Sequence, residues 1–150
     1  KSISGATMFF CKEKFDLIRG FDENFFLYFE ETDYCVRAKK KGLISYQLNK
    51  IIVKHNVGTS VEFDNDKEKK EINDLLKWHF IWSKYYYCKK HYGLLISLIY
   101  FFPILLRILI KIIFYKFFSQ NKNQLNKYQI RLDGLMSSIR GKKSYKRSLY

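Results

Sequence analysis

The sequence predicts an α/β fold over residues 1–65, followed by amphipathic helices over residues 66–150. Three observations lead there. Short apolar runs at Ser4–Cys11, Ile44–Leu48 and Ile51–Val57 have the length and composition of strands. Charged, periodic segments between them stop at Gly20 and Gly42, the residue type that closes helices. From about Asp66 onward the chain becomes long, aromatic and basic.

Taken in order, Ser4–Cys11 (SGATMFFC) is the first expected strand. Lys12–Arg19 follows as a short helix with Phe15, Leu17 and Ile18 apolar. Phe21–Asn24 turns the chain. Glu31–Lys41 is the second helix, with Cys35 and Ala38 inward and Lys39–Lys41 outward, and two further strands are joined at Asn49–Lys50. An aromatic helix from about Asp66 carries Trp78, Phe80, Trp82, Tyr85 and Tyr86, which suit either a membrane-interface belt or a packed core. Gly93–Leu106 is free of charge, and its 14 residues fall short of the roughly 20 that a bilayer crossing requires. A helix lying in the interface, kinked or divided at Pro103, is therefore expected, with Ser97, Tyr100, Arg107 and Lys111 along one side. A last helical pattern runs over Tyr128–Arg140.

The net charge of +14 is unevenly distributed. Residues 1–75 hold 13 Lys/Arg and 13 Asp/Glu, whereas residues 76–150 hold 15 Lys/Arg and one acid, Asp133. A basic arm meets something anionic. Aliphatic bulk through Gly93–Phe118 has no use on a nucleic-acid stripe, so the expected partner is an anionic membrane surface and not nucleic acid. The three cysteines, Cys11, Cys35 and Cys88, lack the CxxC spacing of a zinc or redox site and suggest small buried hydrophobes in a reducing compartment.

The chemistry-bearing residues concentrate in Phe25–Arg37, FFLYFEETDYCVR. Glu30, Glu31 and Asp33 fall at the start of a helix, where the dipole and free N–H groups favour carboxylates. Such a carboxylate serves as a general base or merely caps the helix. His55 arrives 24 residues after Glu31 on an apolar strand, within His-x-x-Gly-x-Ser (His55, Gly58, Ser60). A histidine there suits a core or a ligand role.

SGATMFF, RGFDENFFLYFEETDYCVRAKKKG and VKHNVGTS, in this order and spacing, resemble the C-terminal half of family 2 inverting glycosyltransferases with the GT-A fold. The nearest likeness is to bacterial rhamnosyltransferase-like enzymes that build cell-surface polysaccharide. The resemblance implies that Glu31 is the general base that deprotonates an acceptor hydroxyl, although the family usually has Asp there. It implies positioning roles for Glu30 and Asp33 near the acceptor, and it places Gly5, Ala6 and Met8 on the strand bordering the substrate pockets. His55 matches a histidine that helps ligate a divalent metal, Mg²⁺ or Mn²⁺, held mainly by an Asp-x-Asp motif upstream of Lys1.

By the same resemblance, residues 1–65 are the acceptor side of the catalytic domain, with the nucleotide-binding half missing, and this fragment alone is inactive. The donor is a nucleotide-activated sugar, by resemblance alone dTDP-rhamnose, and the acceptor is lipid-linked or saccharide. Residues 66–150 then dock the enzyme on the cytoplasmic face of the membrane. The rival expectation is a non-catalytic membrane-surface or partner-binding module.

Overall fold

A computed structural model of the chain describes residues 5, 7–48, 50–54, 65–119 and 121–144. Of these, 70% are helical and none is in a strand or sheet. The expected α/β fold, with its GT-A portion, is thus corrected to an all-helical one. The reason is pairing. Apolar runs at 44–48 and 51–54 join no ladder among the described residues, and a strand exists only where a neighbour satisfies its N–H and C=O groups. Ile44, Tyr46, Leu48, Ile51, Ile52 and Val53 instead remain more than half exposed. The remainder of that expected strand, from His55 to Val57, and Gly58 and Ser60 beyond it, lie outside the described residues.

Helix α1 is Lys12–Ile18 and α2 is Glu30–Lys40. Arg19 and Gly20, at φ 65° and 60°, end the first. The second has all three acids in its opening turn and Arg37, Lys39 and Lys40 in its last, both favoured by the dipole. Ile18, Tyr34 and Ala38 make a small core there, with Phe15 and Leu43 against it.

Three longer helices form a bundle: α3, Asp66–Tyr92; α4, Leu94–Phe114, continued by a π-helical turn at Tyr115–Ser119; and α5, Lys122–Ile139. Asn65 caps α3 by accepting from Glu68 N at 2.9 Å, and Asn121 caps α5 by accepting from Gln124 N at 3.1 Å. Trp78 Nε1 donates to Asp133 Oδ2 at 2.8 Å and Ser138 Oγ donates to Trp82 O at 3.0 Å, so α3 and α5 run in the same direction. Between them α4 runs back, which brings Phe101 to Tyr85 and Tyr115 to Tyr128. Ile81, Tyr85, Phe101, Ile108, Tyr128 and Leu135 are the core. Trp78 and Trp82 are also buried, so these two and Tyr85 pack inside, whereas Phe80 on the same helix is exposed.

Pro103 lies inside α4 without dividing it. Ser97, Phe101 and Ile108 face the bundle, which takes Ser97 off the polar side expected for it. Leu95, Ile99, Phe102, Ile110 and Ile113 stand on the outside, each more than half exposed. Leu94–Ser119 is 26 residues of continuous helix, long and apolar enough to cross a membrane by length and composition. The charge-free count of 14 had pointed to a shorter element, because it stopped at Arg107 although the helix does not.

Candidate functional site

The run Phe25–Phe29 is clamped onto α3. Phe25 packs edge-on against Tyr86, Phe26 against His79, and Phe29 against Phe80 and Tyr87, while Ser83 Oγ donates to Leu27 O at 2.7 Å. Held this way, Tyr28 and Phe29 take φ of 66° and 72°, a left-handed conformation that bulky residues rarely adopt. Each such residue costs on the order of 1–3 kcal/mol and persists only where its surroundings over-determine it. The strained pair immediately precedes Glu30, so it sets the direction in which α2 presents its first acids.

Those acids open onto a pocket of about 510 Å³. Phe9, Phe10 and Phe21 give it aromatic walls, Glu30 and Glu31 give it carboxylates, and Gly5, Thr7 and Met8 complete it. Gly5 lies close over Glu31: a Cβ on it would sit 3.7 Å from Glu31 Cδ. Oε2 of Glu30 and Oε2 of Glu31 are buried with no hydrogen-bond partner among the described residues. A buried carboxylate oxygen without a donor is costly. Burial, together with the neighbouring Glu31 charge, pushes the Glu30 carboxyl above the usual carboxylate range, against a lowering by a backbone hydrogen bond. An aromatic-walled pocket with two acceptor oxygens suits a polyhydroxylated ligand, whose O–H groups would satisfy the carboxylates while its C–H faces lie on the rings.

The structure therefore brings together Glu30, Glu31, Gly5 and Met8. Asp33 is elsewhere. Its fully buried carboxylate accepts from Arg37 Nε at 2.7 Å, Lys90 Nζ at 2.6 Å and His91 Nε2 at 2.8 Å. Arg37 also donates to Ile18 O and Gly20 O, at 2.6 and 2.7 Å. Asp33 thereby ties α1, α2 and the end of α3 together. Burial raises its pKa, but the hydrogen bonds from Lys90, Arg37 and His91 outweigh that and hold the carboxyl below its ordinary value. Nothing in the sequence near His91 signals this role, because Asp33 lies 58 residues away.

Ala6 and His55 lie outside the described residues. Among the described residues no group of three or more His, Cys, Asp or Glu could hold a metal ion, and neither ligand source that the resemblance implies, His55 or a motif upstream of Lys1, is among them. The sequence contains one Asp-x-Asp triplet, Asp64–Asn65–Asp66. Asp64 lies outside the described residues, and Asn65 and Asp66 begin α3, where Asn65 is the cap. Cys35 is buried as expected, whereas Cys11 is exposed.

Compared with models of known protein families, with curated proteins and with solved structures, the chain matches none.

Proposed function

We propose that residues 5–31 form the acceptor pocket of an inverting sugar-transferring enzyme at a membrane surface, with Glu31 as general base. The observation that carries this reading is the pair of buried, unpartnered oxygens on Glu30 and Glu31, set in an aromatic-walled pocket behind two strained residues. In the reaction the acceptor hydroxyl oxygen attacks the anomeric carbon of a nucleotide sugar. The bond from that carbon to the nucleoside diphosphate breaks, and the hydroxyl proton passes to Glu31. Glu30 orients the acceptor from the same helical turn. The outward apolar face of α4 and the excess of Lys and Arg after residue 75 support placement on an anionic bilayer, at its cytoplasmic face in this reading.

The test is transfer from nucleotide sugars to lipid-linked or saccharide acceptors by the enzyme that contains this chain. Glu31→Gln lowers turnover by roughly 10²–10⁴-fold while leaving folding intact, the usual worth of a positioned base. Glu30→Gln costs less. Turnover near wild type in Glu31→Gln would sink the assignment. The second reading, a membrane-surface module without catalysis, draws support from the helical bundle. It predicts no transfer with any donor and vesicle binding indifferent to Glu31.

A further inference from the structure

A second pocket, of about 300 Å³, lies at the opposite end of the Phe21–Asn24 turn: Phe21 lines the carboxylate pocket and Asn24 lines this one. Its chemistry is reversed. Lys89, Lys90, Lys142 and Lys143 line it beside Trp82 and Tyr86, and no lining residue is acidic. The two rings stack at 5.1 Å and 23°, making a flat apolar floor. Two parts of the chain are fastened together here. Trp82 Nε1 donates to Lys142 O at 3.0 Å, Lys142 N donates to Ser137 O at 2.9 Å, and Ser144 Oγ donates to Asn24 O. Gly141, at φ 72°, supplies the left-handed turn that brings the segment back over α3.

Nearby acids neutralise one of the four lysines, Lys90, and leave Lys89 and Lys142 to the pocket. Asp22 is already engaged by Lys90 at 2.7 Å and by the Tyr86 hydroxyl at 3.0 Å, and Asp33 by Lys90, Arg37 and His91. The ammonium groups of Lys89 and Lys142 are in no ion pair among the described residues. The C-terminal ends of α3 and α5 converge here, and their dipoles, each worth about half a negative charge, offset only part of the charge of Lys89 and Lys142. Positive charge on a fixed, aromatic-floored concavity is the chemistry of a phosphate site. The pocket also lies beside the start of the exposed apolar face of α4. Lys89 precedes Leu94 by five residues, and Leu94, Leu95 and Ile96 begin the exposed apolar face of α4.

We propose that this lysine pocket binds a phosphate or diphosphate group, and that it holds the charged end of the acceptor whose hydroxyl reaches Glu31. The second clause rests on the acceptor reading above; the first stands without it. Phe21 and Asn24 are three residues apart, so their Cα atoms lie within about 11 Å of each other, and one saccharide phosphate could touch both pockets.

The experiment uses the 150-residue chain in zwitterionic detergent, with tryptophan fluorescence reporting on Trp82. Inorganic pyrophosphate is titrated first. Co-sedimentation follows with phosphatidylcholine vesicles, with and without phosphatidic acid. The expected result is saturable binding of pyrophosphate, of phosphatidic acid vesicles over neutral ones, or of both, weakened by salt. Saturation by pyrophosphate identifies the phosphate group as sufficient; preference confined to phosphatidic acid vesicles identifies a lipid headgroup as the source. Lys89→Gln with Lys142→Gln should weaken the binding about 30-fold, the worth of two lysines beside an anion, at unchanged melting temperature. Lys89→Arg with Lys142→Arg should retain it. Absence of saturable binding to either probe, or binding unaffected by the double glutamine variant, overturns the proposal. Because the readout is binding, its failure leaves Glu31 as base untouched, and an inert Glu31 leaves the phosphate site standing.

Discussion

His91 Nε2 lies 2.8 Å from Asp33 Oδ1, an oxygen that Lys90 Nζ also reaches at 2.6 Å, so two successive residues at the end of α3 brace one fully buried carboxylate of α2. Asp33 belongs to the same acidic cluster as Glu30 and Glu31, yet its work is mechanical. It holds the helix whose first turn carries the other two.

This relationship makes stability sensitive to acid. The folded Asp33 carboxyl titrates below its ordinary value of 3.8, and that of Asp22 is lowered to about 2, where hydrogen bonds from Lys90 and Asn24 outweigh burial. Below 3.8 the unfolded chain therefore binds more protons than the folded one. The stabilisation is present above that pH and is lost as pH falls through the folded values. Thermal melts from pH 5 to pH 2 should show a steep loss. Asp33→Asn should melt at lower temperature at pH 7, by a loss of about 3 kcal/mol for breaking a buried pair, and decline less steeply in acid. An unchanged acid slope in Asp33→Asn would place the sensitivity elsewhere.

Gly134 marks where α5 meets α3 most tightly. A Cβ there would lie 2.7 Å from the carbonyl oxygen of Trp78 and 2.7 Å from Ile81 Cγ2. The backbone oxygen cannot step aside as a side chain can. Gly134→Ala should destabilise by about 1–3 kcal/mol through overpacking, overriding the roughly 1 kcal/mol that alanine gains over glycine within a helix. Urea denaturation checks this, and a more stable variant would mean that the two helices are not in close contact.

The two faces of α4 should respond oppositely to charge. Ile99 is 67% exposed and Phe101 only 2%. Ile99→Asp should keep the helical circular dichroism and melting behaviour of the bundle. Its partition onto anionic vesicles should fall by about a hundredfold, from roughly 3 kcal/mol for an acid at apolar depth. Phe101→Asp should unfold the bundle. Equal vesicle binding by Ile99→Asp and wild type would show that this face does not meet lipid.

How much of this was legible beforehand follows from what each element depends on. Helices α1 and α2 lie within one residue of their expected ends, because Gly20, Gly42 and the charge order of the turns act locally. The start of α3 at Asp66 was equally clear. Helix α5 begins six residues before the expected Tyr128, and the overlooked signal was Asn121 followed by Gln124, a capping pair. The carboxylates at the head of α2 and the excess of basic residues after Asp74 were also plain from residue order alone.

Only the tertiary structure decided the rest. The apolar composition of 44–48 and 51–54 says that these segments would suit strands, but pairing is a two-body property, and no neighbour among the described residues supplies the hydrogen bonds. The separation of Asp33 from Glu30 and Glu31 required α3 to bring Lys90 and His91 back across more than fifty residues. Likewise, Lys89 and Lys142 belong to two separate lysine pairs in sequence and become a pocket only when α3 and α5 end side by side. Residue order determined where helices start, stop and carry charge, because those are short-range effects of caps and dipoles. Which charges are neutralised and which remain available to a ligand was decided by packing, since burial and pairing depend on what the folded chain places within a few ångströms.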